Sequence, residues 1–112
     1  KRIKDEKGIF MPILMTARYQ VRPHAIDRCK KAIQLLAEHV KENEKETLFY
    51  MAQQEKLNPY AFLHIMVFKD EVALTMHRSS KAAENFVKVL YPETIDPLEF
   101  KEYNLVGTNL PI

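Results

Sequence analysis

Residues 61–69, Ala-Phe-Leu-His-Ile-Met-Val-Phe-Lys, constrain this chain more than any other stretch. At a side-chain period of two, Ala61, Leu63, Ile65 and Val67 share one side of a strand, and Phe62, His64, Met66 and Phe68 share the other. Both sides are apolar. Such a strand belongs in the middle of a sheet, with both of its faces sheltered from water.

The flanking patterns say what kind of sheet. Ile13 to Val21 alternates, with Ile13, Met15, Ala17, Tyr19 and Val21 on one side, until Arg22-Pro23 stops it. From about His24 to Glu44 the period lengthens, and Ile26, Cys29, Ile33, Leu36 and Val40 form the apolar stripe of a helix. Leu48 to Glu55 reads as a second strand, and Asn58-Pro59 turns the chain into the third. Asp70 is placed to cap a short helix through Val72, Ala73 and Met76 to His77. A further helix follows Ser79-Ser80, with Ala82, Ala83, Phe86, Val87 and Leu90 inward, and Pro92 ends it. Leu98 to Val106 alternates again. The order β-α-β-β-α-β, with its second helix in two pieces, predicts an α+β ferredoxin-like fold with an antiparallel sheet. Residues 12–107 make up the expected domain, residues 1–11 an N-terminal extension or arm, and residues 108–112 a tail.

Helices cover one face of such a sheet. Leaving Phe62, Met66 and Phe68 bare on the other would forfeit roughly 1.5–3 kcal/mol per side chain. The expected remedy is a homodimer packed sheet to sheet, with the chain's own loops or tail as the alternative cover. A pocket is then expected between the sheet and the helices flanking it.

Composition removes several function classes. The only glycines among the 112 residues are Gly8 and Gly107, so no G-x-G-x-x-G loop and no P-loop exists. One cysteine, Cys29, excludes internal disulfides and cysteine-built metal modules, and its place in the apolar stripe of the first helix marks it as a buried, inert thiol. The 17 basic and 15 acidic residues are spread along the chain, which argues against a nucleic-acid partner. No apolar run approaches the ~20 residues that cross a bilayer, so no membrane partner and a cytoplasmic setting are expected. The four histidines lack metal-ligand spacing, and no metal site is expected.

Several stretches resemble the antibiotic biosynthesis monooxygenase family of the dimeric α/β-barrel superfamily. They are residues 16–23, Leu48-Phe49-Tyr50, residues 68–74 leading to His77, and Ser80 to Phe86 beyond it. Together they span roughly residues 12–107. The resemblance implies a homodimeric dimeric α/β barrel and, in many members, oxidation of a small aromatic or quinol substrate by O2 with no cofactor. The substrate supplies the electrons once a base has removed a phenolic proton, and the protein supplies a dry pocket, the base and hydrogen bonds. Other members degrade haem or isomerise a phosphorylated dione. The family often carries Glu and then Trp on the third strand, where Met66 and Phe68 stand here. Haem-degrading members use an Asn, that Trp and a His, where this chain has Ala17, Phe68 and the Glu84–Phe86 stretch, so haem degradation is not expected.

His77, at the family's pocket-histidine position, is the candidate catalytic base, because imidazole exchanges protons near neutral pH. A purely structural His77 would cap a helix or bond a carbonyl across the helix break. His64, Tyr50, Phe62, Met66, Phe68, Tyr103 and Asn104 are the candidate substrate-binding residues. His64 is either a substrate contact or a core histidine satisfied by a neighbour, and the tyrosines are equally suited to packing with a polar tip at the rim. Arg18 has an acidic substrate or a carboxylate such as Glu102 as its candidate partners. An isomerase of a small oxygenated metabolite and a non-catalytic ligand-binding module are the rival functions.

Overall fold

A computed structural model describes residues 12–112, and the expected N-terminal extension lies outside the described residues. The elements are β1 (Ile13–Gln20), α1 (Ile26–Asn43), β2 (Thr47–Gln54), β3 (Ala61–Phe68), α2 (Glu71–Arg78), α3 (Lys81–Leu90) and β4 (Glu99–Tyr103). Short 3-10 turns, Pro23–Ala25 and Tyr91–Glu93, lead into α1 and out of α3. The four strands form one antiparallel sheet in the order β2-β3-β1-β4, the ferredoxin-like arrangement.

Local chemistry sets the element ends. Asp70 caps α2 by accepting from the Ala73 amide at 2.9 Å, as its sequence position implies. Ser80 caps α3 in the same way through the Ala83 amide at 3.0 Å. β4 is shorter than its alternating pattern. Tyr103 pairs with Leu14 and β1 begins at Ile13, so beyond Asn104 no described strand residue lies opposite.

β3 occupies the interior of the sheet, but its two sides are opposite to expectation. Phe62, His64, Met66 and Phe68 lie under the helices and are buried within a single chain. The uncovered side carries Leu63 and Ile65, joined through the register by Leu14 of β1 and by Phe49 and Met51 of β2. A strand apolar on both sides gives no sign of which side meets the helices. The apolar strip on the uncovered face therefore exists, built from the other half of the strand.

The core has two parts. Met15, Ala17, Met66, Phe68 and Leu74 pack at the α2 end of the sheet. Tyr19, Cys29, Ile33, Phe62 and Leu90 pack at the α1–α3 end. Cys29 is a free, fully buried thiol, as its position in the helix stripe implies.

Candidate active site

Between these two parts the sheet and helices enclose a cavity of about 390 Å3, within the size range of small-molecule sites. Its floor is Met15, Ala17, Tyr19, His64, Met66 and Phe68 from the two central strands, with Tyr50 from β2. Leu74 and His77 of α2 and Phe86 and Val87 of α3 form the wall above. Val87 and Phe86 remain partly exposed although they sit on the inward side of their helix, because the cavity lies beneath them.

Two imidazoles are buried against this space, His64 at 3% and His77 at 8% exposure. His77 sits in the last turn of α2, and its Nδ1–H donates to Glu44 Oε1 at 2.8 Å. A carboxylate only accepts, so the proton is fixed on Nδ1 and no described residue bonds Nε2. Glu44 stands just past the end of α1. Its Oε1 also accepts from Thr47 Oγ1 at 2.7 Å, while His39 Nε2 lies 3.2 Å from Oε2 without the direction of a hydrogen bond. The ring of His77 is packed beside Phe68, with centroids 5.2 Å apart, and beside Tyr50 at 6.3 Å.

His64 lies between two phenols. Tyr19 Oη is 2.6 Å from Nε2, and Tyr50 Oη is 2.9 Å from Nδ1. Burial, reinforced by the neighbouring His77, lowers the His64 pKa to about 4, so the ring is neutral at physiological pH. Burial also pushes both phenols well above the ordinary tyrosine value. Tyr50 and Cys29 add to the effect at Tyr19, and the Glu44 carboxylate adds to it at Tyr50.

The cavity thus gathers His77, His64, Tyr50, Met66 and Phe68. Three other sequence candidates lie elsewhere. Phe62 stacks on the far side of Tyr19, with centroids 5.7 Å apart, and does not line the cavity. Tyr103 faces the uncovered side of the sheet opposite Leu14. Asn104 is exposed beyond the end of β4. Arg18 also lies on the uncovered side, 4.0 Å from Glu55, whereas Glu102 projects from the other face opposite Met15. Glu44 and Tyr19 are the residues that pattern reading passes over. Glu44 reads as an ordinary solvated helix end, and Tyr19 as one more apolar position in β1.

The family model for antibiotic biosynthesis monooxygenase matches residues 12–89 of the chain. The chain belongs to that family. No curated protein matches its sequence. Solved structures share this fold, the first two of the following being named for the family. A protein from Bacteriodes thetaiotaomicron superposes with a TM-score of 0.84 at 16% identity, covering 91% of this chain and 96% of the other. One from Caulobacter crescentus gives 0.81 at 19% identity, covering 88% and 92%. A conserved protein from Methanosarcina mazei gives 0.77 at 23% identity, covering 84% and 92%. At the third-strand positions where monooxygenases of this family often carry Glu and Trp, Met66 and Phe68 leave that part of the floor entirely apolar.

Proposed function

We propose that this chain is a cofactor-independent monooxygenase of a small aromatic or quinol substrate. His77 serves as the general base. The observation that carries the proposal is the His77–Glu44 pair on the wall of an apolar cavity. Glu44 orients the ring and stabilises the imidazolium that forms when Nε2 takes a hydroxyl proton. The resulting anion is electron-rich enough to reduce O2 itself. With a quinol, one oxygen atom replaces a ring hydrogen to give a hydroxyquinone, and the other leaves as water, so the substrate supplies all the electrons. Met66, Phe68 and Phe86 hold the ring and exclude water, which strengthens each remaining electrostatic contact.

The protein acts as a homodimer in the cytoplasm. The dimer covers the uncovered-face residues Leu14, Phe49, Met51, Leu63 and Ile65, and the buried free thiol suits a reducing compartment.

Oxygen uptake with a panel of quinols and naphthols tests the function. Wild type is expected to accelerate uptake over the uncatalysed reaction and to place one atom of 18O2 in the product. His77→Ala is expected to lose about a hundredfold or more in kcat. Unchanged oxidation by His77→Ala removes His77 from the mechanism, and turnover under strict anaerobiosis replaces the monooxygenase with an isomerase.

A further inference from the structure

The contacts around His64 carry a direction. A neutral imidazole has one N–H and one bare nitrogen, so it donates to one of its two tyrosines and accepts from the other. The phenol that receives the N–H keeps its own O–H proton for a different acceptor.

Which phenol that is follows from burial and from distance. Tyr19 is 4% exposed, and His64 is its only hydroxyl partner among the described residues. Both phenols line the cavity, but Tyr19 does so from its buried floor, and if it received the N–H its own proton would have no acceptor among the described residues, at a cost of about 1–3 kcal/mol. Tyr50 is only half-buried and lines the cavity. The separations agree: 2.6 Å on the Tyr19 side suits an O–H donor, and 2.9 Å on the Tyr50 side suits an N–H donor. Tyr19 therefore donates to Nε2, His64 donates from Nδ1 to Tyr50, and the Tyr50 hydroxyl proton is left for the cavity.

We infer that Tyr50 is the hydrogen-bond donor to the substrate oxygen that ionises, and that Tyr19, acting through His64, is the positioning residue that keeps it turned to that task. The inference rests on the reading of His77 as base and deepens it. His77 Nε2 offers a lone pair and Tyr50 offers a proton, on rings whose centroids are 6.3 Å apart. Together they fit one hydroxyl group, whose proton goes to the imidazole and whose oxygen is held by the phenol. The substrate class is then phenols and enols. A ketone without an enolisable position satisfies only half of the pair.

Two measurements test this. Two-bond 1H–15N spectra of protein labelled in histidine are expected to show His64 neutral at pH 7 with its proton on Nδ1. In Tyr19→Phe nothing donates to Nε2, the ring is no longer held in one tautomer, and the Nε2-protonated form is expected to become detectable beside the Nδ1-protonated one. An Nε2-protonated ring in the wild type overturns the inference. In the second measurement, 4-nitrophenol and nitrobenzene are titrated into wild type, Tyr50→Phe and Tyr19→Phe, with the phenolate absorbance as the readout for the first and the calorimetric heat of binding for the second. Wild type is expected to bind 4-nitrophenolate, and Tyr50→Phe to lose about tenfold or more of that affinity, as for a hydrogen bond to a charged group. Tyr19→Phe is expected to lose part of it, with nitrobenzene held equally by all three. A role confined to packing would weaken both probes together. No phenolate binding by wild type, or equal binding by wild type and Tyr50→Phe, overturns the inference, and quinol oxidation dependent on His77 would then leave the base standing. Selective phenolate binding without any oxygen chemistry would do the reverse.

Discussion

His64 is a buried imidazole held between two phenols, and its protonation is coupled to folding. In the unfolded chain an imidazole takes up its proton near pH 6.5, whereas in the folded protein His64 does so only near pH 4. Its contribution is fully present above pH 6.5 and is lost as pH falls from there to about 4, because only the unfolded chain binds the proton in that window. The loss amounts to about 3 kcal/mol. Urea unfolding at pH 7.5 and 4.5 is expected to show this slope in wild type and a flatter one in His64→Gln, and parallel profiles would refute the buried neutral ring. Glu44 acts through a different residue. Glu44→Ala frees the His77 ring to turn away from its working orientation, and kcat for quinol oxidation is expected to fall about tenfold to a hundredfold with KM little changed. An equal fall in kcat and a rise in KM would instead place Glu44 in substrate binding.

At the scale of elements, side-chain caps start both short helices, Asp70 at α2 and Ser80 at α3. Removing the Asp70 side chain strands the Ala73 amide, so Asp70→Ala is expected to lower stability by about 1 kcal/mol in thermal or urea unfolding. A change below a few tenths would mean that water replaces the cap without cost. Asp70 illustrates what was legible in the sequence: a capping side chain three residues from its amide, a heptad-like stripe on α1, and alternation in β1 all express contacts local in the chain. The matching family stretches located His77 for the same reason. What could not be read depends on distant partners. His77 and Glu44 are 33 residues apart, Tyr19 and His64 are 45 apart, and nothing in either local pattern announces the other. β4 looked longer than it is because its own alternation continues after its partner strand has ended. The face of β3 was undecidable for a related reason, since period-two reading separates two sides but only the packing of α2 and α3 says which is inside.

For the molecule as a whole, that reversal changes what a dimer would be made of. The aromatic residues of β3 are spent on the chain's own core, so the apolar strip on the uncovered sheet face is built from Leu14, Met51, Leu63 and Ile65 with the ring of Phe49, and Met51 is 46% exposed. The charged side chains of this face are paired, Arg18 near Glu55 and Lys101 near Glu99 at 3.6 Å, which lowers the cost of enclosing them at a rim. Ile65 lies on the interior strand β3, away from both sheet edges, so a two-fold axis parallel to the sheet, running between the two packed faces over β3, would bring its copies close together. Ile65→Arg then buries two like charges against each other. The dissociation constant is expected to rise by about a hundredfold or more, from the roughly 3 kcal/mol cost of an unpaired buried charge. Sedimentation equilibrium reads this directly, with far-UV circular dichroism to verify that the separated chains keep their fold. Because the cavity lies on the opposite side of the sheet and is walled by one chain's helices, binding of 4-nitrophenol is expected to survive in the monomer. An Ile65→Arg protein that stays dimeric would move the contact to another surface, and a monomer that loses the phenolate probe would make the partner chain part of the site.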